Sequence, residues 1–273
     1  MTMFNRMTLL ALTCAVLTAP VIQAAVSADE AAKLKTTLTP LGAERAGNKD
    51  GTIPPWEGGY PVDNSYNSAA IPDLFKDKPL LTITAQNADQ YKDKLTEGTL
   101  GLLKKFPSFN VQVFPTRRTA AAPQWVYDNT LANATRATMD PSGELGPFPK
   151  GTYGGIPFPI PKNGEEAIWN HLLRWTTPSY QTTPSLARVT PEGKVIPVSQ
   201  NVAKSSFPYY DQNSNLEKWQ AAGSNIVVRR VDTSGPPIRA GEILLQRVNI
   251  NDIESKTCLI KQQTNDDDRD ESP

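Results

Sequence analysis

Gly154-Gly-Ile-Pro-Phe-Pro-Ile-Pro-Lys-Asn-Gly-Glu-Glu-Ala-Ile-Trp-Asn-His-Leu-Leu-Arg-Trp175 joins an extended proline ladder directly to an amphipathic helix. Pro157, Pro159 and Pro161 each fix φ and remove a backbone donor, so no central strand can run through them. Ile156, Phe158 and Ile160 alternate with the rings and need cover. Asn163 stands three residues before Glu166, the spacing of a capping box, and Glu165 and Glu166 suit the positive end of a helix dipole. On a wheel of about 100° per residue with Ile168 at zero, Leu172, Trp169, Leu173 and Trp175 fall on one apolar arc and His171 on its border. That face predicts either the protein's own core or the lining of an apolar cavity. Asn170 and Arg174 fall on the polar side, where solvent or a ligand would meet them.

Outward from this stretch the chain has two textures. On the N-terminal side, Ser27-Ala-Asp-Glu30 supplies a cap and early acids for a short helix carrying Ala31, Leu34 and Leu38. The following run to Gly59 is dense in glycine and proline, and Asn48 to Gly51 reads as an Asx-type turn more readily than as a calcium loop, since no closing glutamate follows at the required spacing. Leu80 to Thr84 reads as a brief strand, and a helix carrying Ala88, Tyr91, Leu95, Leu100, Leu102 and Leu103 is expected to kink at Gly98 and Gly101. Phe106 to Pro115 reads as extended, and Val126 to Met139 as a helix or a long strand. Arg117 and Arg118 form a candidate cradle for an anionic head group, against the plainer reading that they are solvated or paired with Asp128 or Asp140.

On the C-terminal side the pattern is β. Ser185 to Thr190 and Lys194 to Ser199 flank a Pro-Glu-Gly turn, and Ser206 to Tyr210, Asn225 to Asp232 and Glu242 to Ile250 are further strand candidates. Short strands without crossover helices between most of them favour antiparallel pairing. From Asn251 the alternation stops, and the charged residues to Pro273 read as a disorder-prone tail.

Composition narrows the function. Met1 to Ala24 has the n-region, short apolar core and small-residue cleavage site of a secretory signal, and the core is too short to span a bilayer. Cys14 lacks the lipobox context of a lipoprotein. The mature protein is expected to be periplasmic, with residues 25–250 as a single domain. Of the 273 residues, 28 are basic and 28 acidic, a balance without a basic block that argues against nucleic acid as a partner. After cleavage Cys258 and His171 are the sole residues of their kinds, so neither a disulfide framework nor a Cys/His metal site can be built within one chain. No nucleophile elbow, P-loop, dinucleotide fingerprint or metalloprotease motif is present.

The chain also resembles a Gram-negative periplasmic family known only as domain of unknown function 1329, described as outer-membrane lipoprotein-sorting-like. The resemblance is carried by Gly154 to Arg174, Thr39 to Gly59, Ala88 to Leu103, Pro115 to Ala137 and Ala240-Gly-Glu-Ile-Leu-Leu245. Members look longer than this chain, whose ending departs from their pattern and looks C-terminally truncated. The resemblance implies an α+β fold in which an antiparallel sheet forms an open half-barrel of the LolA/LolB type, with covering helices and a long irregular N-terminal part. It implies no catalytic residues and no cofactor. Together these readings point to a carrier or chaperone moving a lipid or acylated protein between inner and outer membranes. Ile156, Phe158, Ile168, Trp169, Leu172, Trp175, Arg117 and Arg118 are the candidate ligand-binding residues. The competing readings are an assembly subunit, partnered by an envelope exporter or an outer-membrane protein, and a periplasmic hydrolase using His171.

Overall fold

The structure is a computed structural model and describes residues 25–60, 75–143, 146–251 and 256–261; residues 1–24, which read as a signal sequence, and residues 262–273 lie outside the described residues. In chain order the helices are α1 (Ala28–Ala32), α2 (Glu97–Lys105), α3 (Gln124–Arg136), α4 (Gly164–Leu172) and α5 (Leu216–Ala221). Three-residue strands β1 (Leu81–Ile83) and β2 (Val111–Val113) pair with each other, as do β3 (Thr138–Asp140) and β4 (Phe148–Lys150). The main sheet contains β5 (Ser179–Thr182), β6 (Ser185–Val189), β7 (Val195–Ser206), β8 (Asn225–Gly235), β9 (Glu242–Asn249) and β10 (Lys256–Lys261). All its pairings are antiparallel, in the order β10-β9-β8-β7-β5 with β6 also on β7, and the sheet does not close into a barrel.

Local chemistry accounts for the helix starts. Ser27 and Glu30 form the full capping box of α1, and Asn163 accepts from the Glu166 backbone to start α4. The helix expected from Asn87 breaks at Leu95 and Thr96, not at the glycines. A 3₁₀ segment, Ala88–Lys94, stops there, and the Thr96 hydroxyl caps α2 by accepting from Thr99. Residues 206–210 are not a strand of their own: β7 runs to Ser206 and Pro208 opens a 3₁₀ turn through Tyr210, because the ring has no donor to extend the ladder. The sheet runs one strand further than the sequence pattern suggested. Thr257-Cys-Leu-Ile260 supplies enough β-forming residues for β10 to pair with β9 inside what reads as a polar tail.

The proline ladder is interior: residues 152–159 are all buried. A buried extended segment outside any sheet must find side-chain partners for its peptide groups. Asn133, with no exposed surface, donates from Nδ2 to the carbonyls of Tyr153, Gly155 and Ile156 and accepts at Oδ1 from the Tyr153 N–H. Thr130 accepts from the Ile156 N–H, and Asn170 clamps Phe158 by accepting its N–H at 2.8 Å and donating to its carbonyl at 2.5 Å. Tyr209 donates to the Gly155 carbonyl at 2.6 Å. Gly155 itself cannot be larger, since a Cβ would sit 2.5 Å from the Thr130 backbone nitrogen. Asn170, on the expected polar side of α4, is thus a structural clamp.

Around this segment Trp125, Trp175, Tyr153, Tyr209, Tyr210 and Trp219 form one aromatic cluster with ring centroids 5.0–6.2 Å apart. The pairs are edge-on except for the two tilted contacts of Tyr153, and edge-on geometry at these distances adds to the area burial. Tyr209 is buried, with its hydroxyl also 2.6 Å from that of Thr152, and burial pushes its phenol well above the ordinary tyrosine range, as it does for Tyr210. A raised folded value means the stabilisation is intact below the unfolded tyrosine pKa of about 10 and falls as pH climbs past it. Urea unfolding is expected to show stability dropping above about pH 10 by about 1.4 kcal/mol per pH unit for each buried phenol. Tyr209→Phe should lose about 1–3 kcal/mol at neutral pH, because it removes one of the two donors to the Gly155 carbonyl, leaving Asn133, and takes away the partner of the buried Thr152 hydroxyl, and it should flatten that alkaline slope.

Candidate functional site

The candidate residues of the opening stretch do not line one cavity. Ile156, Phe158 and Trp169 are buried, and Trp175 packs edge-on against Trp125 at 5.4 Å and Tyr210 at 5.1 Å. Ile168 and Leu172 are 60% and 44% exposed, contrary to the expected apolar face. The helix is rolled so that Trp169, Leu173 and Glu166 point inward. The reason lies in the partners: the Trp169 indole donates to the Pro147 carbonyl at 3.0 Å, and the Glu166 carboxylate accepts from the Lys162 N–H at 2.6 Å. A wheel weighted by apolarity alone counts neither bond. Trp175 lies beyond the end of α4, so its wheel angle has no meaning.

The two arginines are also committed. Arg118 donates to the carbonyls of Glu44, Arg45, Ala46 and Pro54, pinning the glycine- and proline-rich loop. Arg117 pairs with Asp77 and lies over the Phe75 ring at 4.9 Å. Their partners are therefore neither Asp128 nor Asp140; Asp140 pairs with Lys150, whose hydrogen bond, with that of Ser142, holds its carboxyl down at about 2. His171 is exposed on α4, and its backbone carbonyl accepts from Arg174 at 2.8 Å. No cluster of three or more metal-ligating side chains occurs among the described residues.

Space between α4 and the sheet amounts to about 170 Å³, bounded by Leu172, Leu173, Phe207, Tyr210 and Val227 among others. A larger space lies on the other face of the sheet. Register places Tyr180, Ser205, Arg229 and Gln246 in one cross-strand row. Their side chains turn toward the core: Arg229 donates to Ser205 at 3.1 Å and to the Tyr180 hydroxyl at 3.4 Å, and Tyr180 stacks on Phe207. Because side chains alternate along a strand, the two neighbouring rows point away from the core. Ser206, Val228 and Arg247 form one row, and Lys204, Arg230 and Leu245 the other. Between them runs a trough of about 740 Å³ across four strands, entered on β5 by Ser179 and Gln181. That volume is within the range of about 300–1,000 Å³ usual for small-molecule sites, whereas the space under α4 is not.

Sequence reasoning missed this trough. Val228, Leu245 and the three cations are unremarkable within their own strands and converge only through the β7-β8-β9 register, which bulges between Gln200 and Asn201 and between Asn225 and Val227 shift from simple counting.

An α+β protein whose antiparallel sheet stays open and presents a cross-strand trough is the class these observations define. The chain belongs to the family of proteins of unknown function DUF1329, whose sequence profile matches residues 82–259. It is 48% identical over 160 residues to an uncharacterized protein of Pseudomonas aeruginosa, PA3922. The matched stretch is 56% of this chain and 34% of that relative, so the chain spans about a third of the length of the curated relative it matches. No solved structure matches the chain. No helix among the described residues is long and apolar enough to cross a membrane.

Proposed function

We propose that this protein is a non-enzymatic periplasmic carrier or chaperone that holds an apolar ligand, a lipid or an acylated protein segment, in passage between the inner and outer membranes. The trough carries this reading: it is large enough for a small amphiphile, and Val228, Leu245 and the methylene stems of its basic residues offer a chain apolar contact. Each methylene taken out of water contributes roughly 0.8 kcal/mol. Under this reading the sheet is an open half-barrel of the LolA/LolB type, loaded on the face away from α4. The 154–175 segment then acts as a brace that fixes the strands from behind, and the reading requires no cofactor.

The test begins with protein isolated from its native host and examined by native mass spectrometry. A bound molecule bearing an acyl chain is expected, and Val228→Glu should lower binding of a dodecanoate probe at least tenfold. Protein that is consistently empty and binds no fatty-acid probe would overturn the reading.

A second reading, an interaction subunit of an envelope export system, draws on the β6–β7 hairpin. There Leu186, Val189 and Val195 are 58%, 68% and 61% exposed at the margin of the sheet. It predicts a protein partner in cross-linking experiments and no small ligand.

A further inference from the structure

The trough is charged in a way that narrows its ligand. Lys204 stands directly opposite Arg230 across the β7–β8 pair, and two like charges in that position destabilise a sheet. Arg230 is held by Asp232, two residues along the same strand face, at 2.6 Å. That hydrogen bond lowers the Asp232 carboxyl, with Lys204 adding to the effect. Asp232 is one row beyond the trough, so a single carboxylate serves two cations. Arg247 faces them from the other wall, one row away on β9 beside Val228. Lys204, Arg230 and Arg247 are all exposed, and no carboxylate lines the trough among the described residues. The excess of positive charge brackets an apolar centre made by Val228 and Leu245.

From this juxtaposition we infer that the trough binds a single-chain lipid anion, with the chain along Val228 and Leu245 and the head between Lys204 and Arg247. The inference rests on the carrier reading and deepens it, because it selects a lipid with an anionic head over an acylated protein, whose amide-linked chain brings no charge to the site. A guanidinium and an ammonium can share the two oxygens of a carboxylate through charge-assisted hydrogen bonds, and the added negative charge offsets the repulsion between Lys204 and Arg230. The site is open, so salt is expected to weaken it.

Equilibrium dialysis with dodecanoate, dodecanol and an uncharged N-dodecanoyl peptide tests both levels. Dodecanoate is expected to bind at least tenfold more tightly than either neutral probe, a preference that shrinks at high salt. Lys204→Gln with Arg247→Gln should bring the ratio close to one, while Arg188→Gln, on the β6–β7 hairpin, should leave it unchanged. All three positions are exposed, so circular dichroism should match the parent for both variants. If the neutral probes bind as tightly as dodecanoate, or the double substitution leaves the preference intact, the anionic-head assignment is wrong and the carrier reading stands. If none of the three binds, both fail together.

Discussion

Replacing Asn133 by leucine is expected to lower folding stability by about 3–5 kcal/mol, the range seen when a buried polar network loses its hub. Asn133 lies on α3 with no exposed surface and holds three carbonyls of the 153–156 backbone at 3.1–3.3 Å. Its Oδ1 also accepts from Arg136 at 2.8 Å, a guanidinium whose burial already lowers its pKa. Leucine has nearly the right volume, so the loss would come from unpartnered polar groups and not from a cavity. Nothing in the ladder can compensate, because its prolines and buried position leave no water-facing route for the carbonyls. Urea unfolding followed by tryptophan fluorescence would report the change directly. A loss under about 1 kcal/mol would show that the segment finds other partners and that α3 does not hold it.

Trp169→Ala is expected to cost about 3–5 kcal/mol, while Ile168→Ala should stay within about 0.5 kcal/mol. The two residues are adjacent on α4 and equally apolar on a wheel. Trp169 is 4% exposed and its indole nitrogen bonds the Pro147 carbonyl, whereas Ile168 is 60% exposed. Removing the indole therefore opens a cavity in the hydrophobic core that Trp169 shares with Phe158 and Leu173, and orphans a carbonyl. Removing the isoleucine side chain trims a surface. The reverse order would mean that α4 turns its Ile168–Leu172 edge to the core, restoring the cavity-lining face the apolar arc suggested.

These two residues also mark what can be read from the sequence. The caps at Ser27 and Asn163, the β6–β7 hairpin and the run of antiparallel strands rest on short-range chemistry that a few neighbouring residues determine. The roll of α4 does not, because it depends on a carbonyl 22 residues away at Pro147 and on Asn170 reaching Phe158. Arg118 is similar: a pair of arginines before an alanine run gives no sign that four carbonyls more than 60 residues upstream await one of them. The trough is the extreme case. Lys204, Arg230 and Leu245 come from three strands, and a slip of one residue in either pairing would turn part of the row to the core.

Placement of the ligand on the free face of the sheet, and not under α4, is the claim on which the functional account depends. Photocross-linking with a diazirine-bearing fatty acid, followed by peptide mapping, tests it most directly. Adducts are expected within 204–206, 228–230 and 245–247, and competing dodecanoate should suppress them. Adducts concentrated within 156–175 would contradict the account and return the ligand to the space behind the helix.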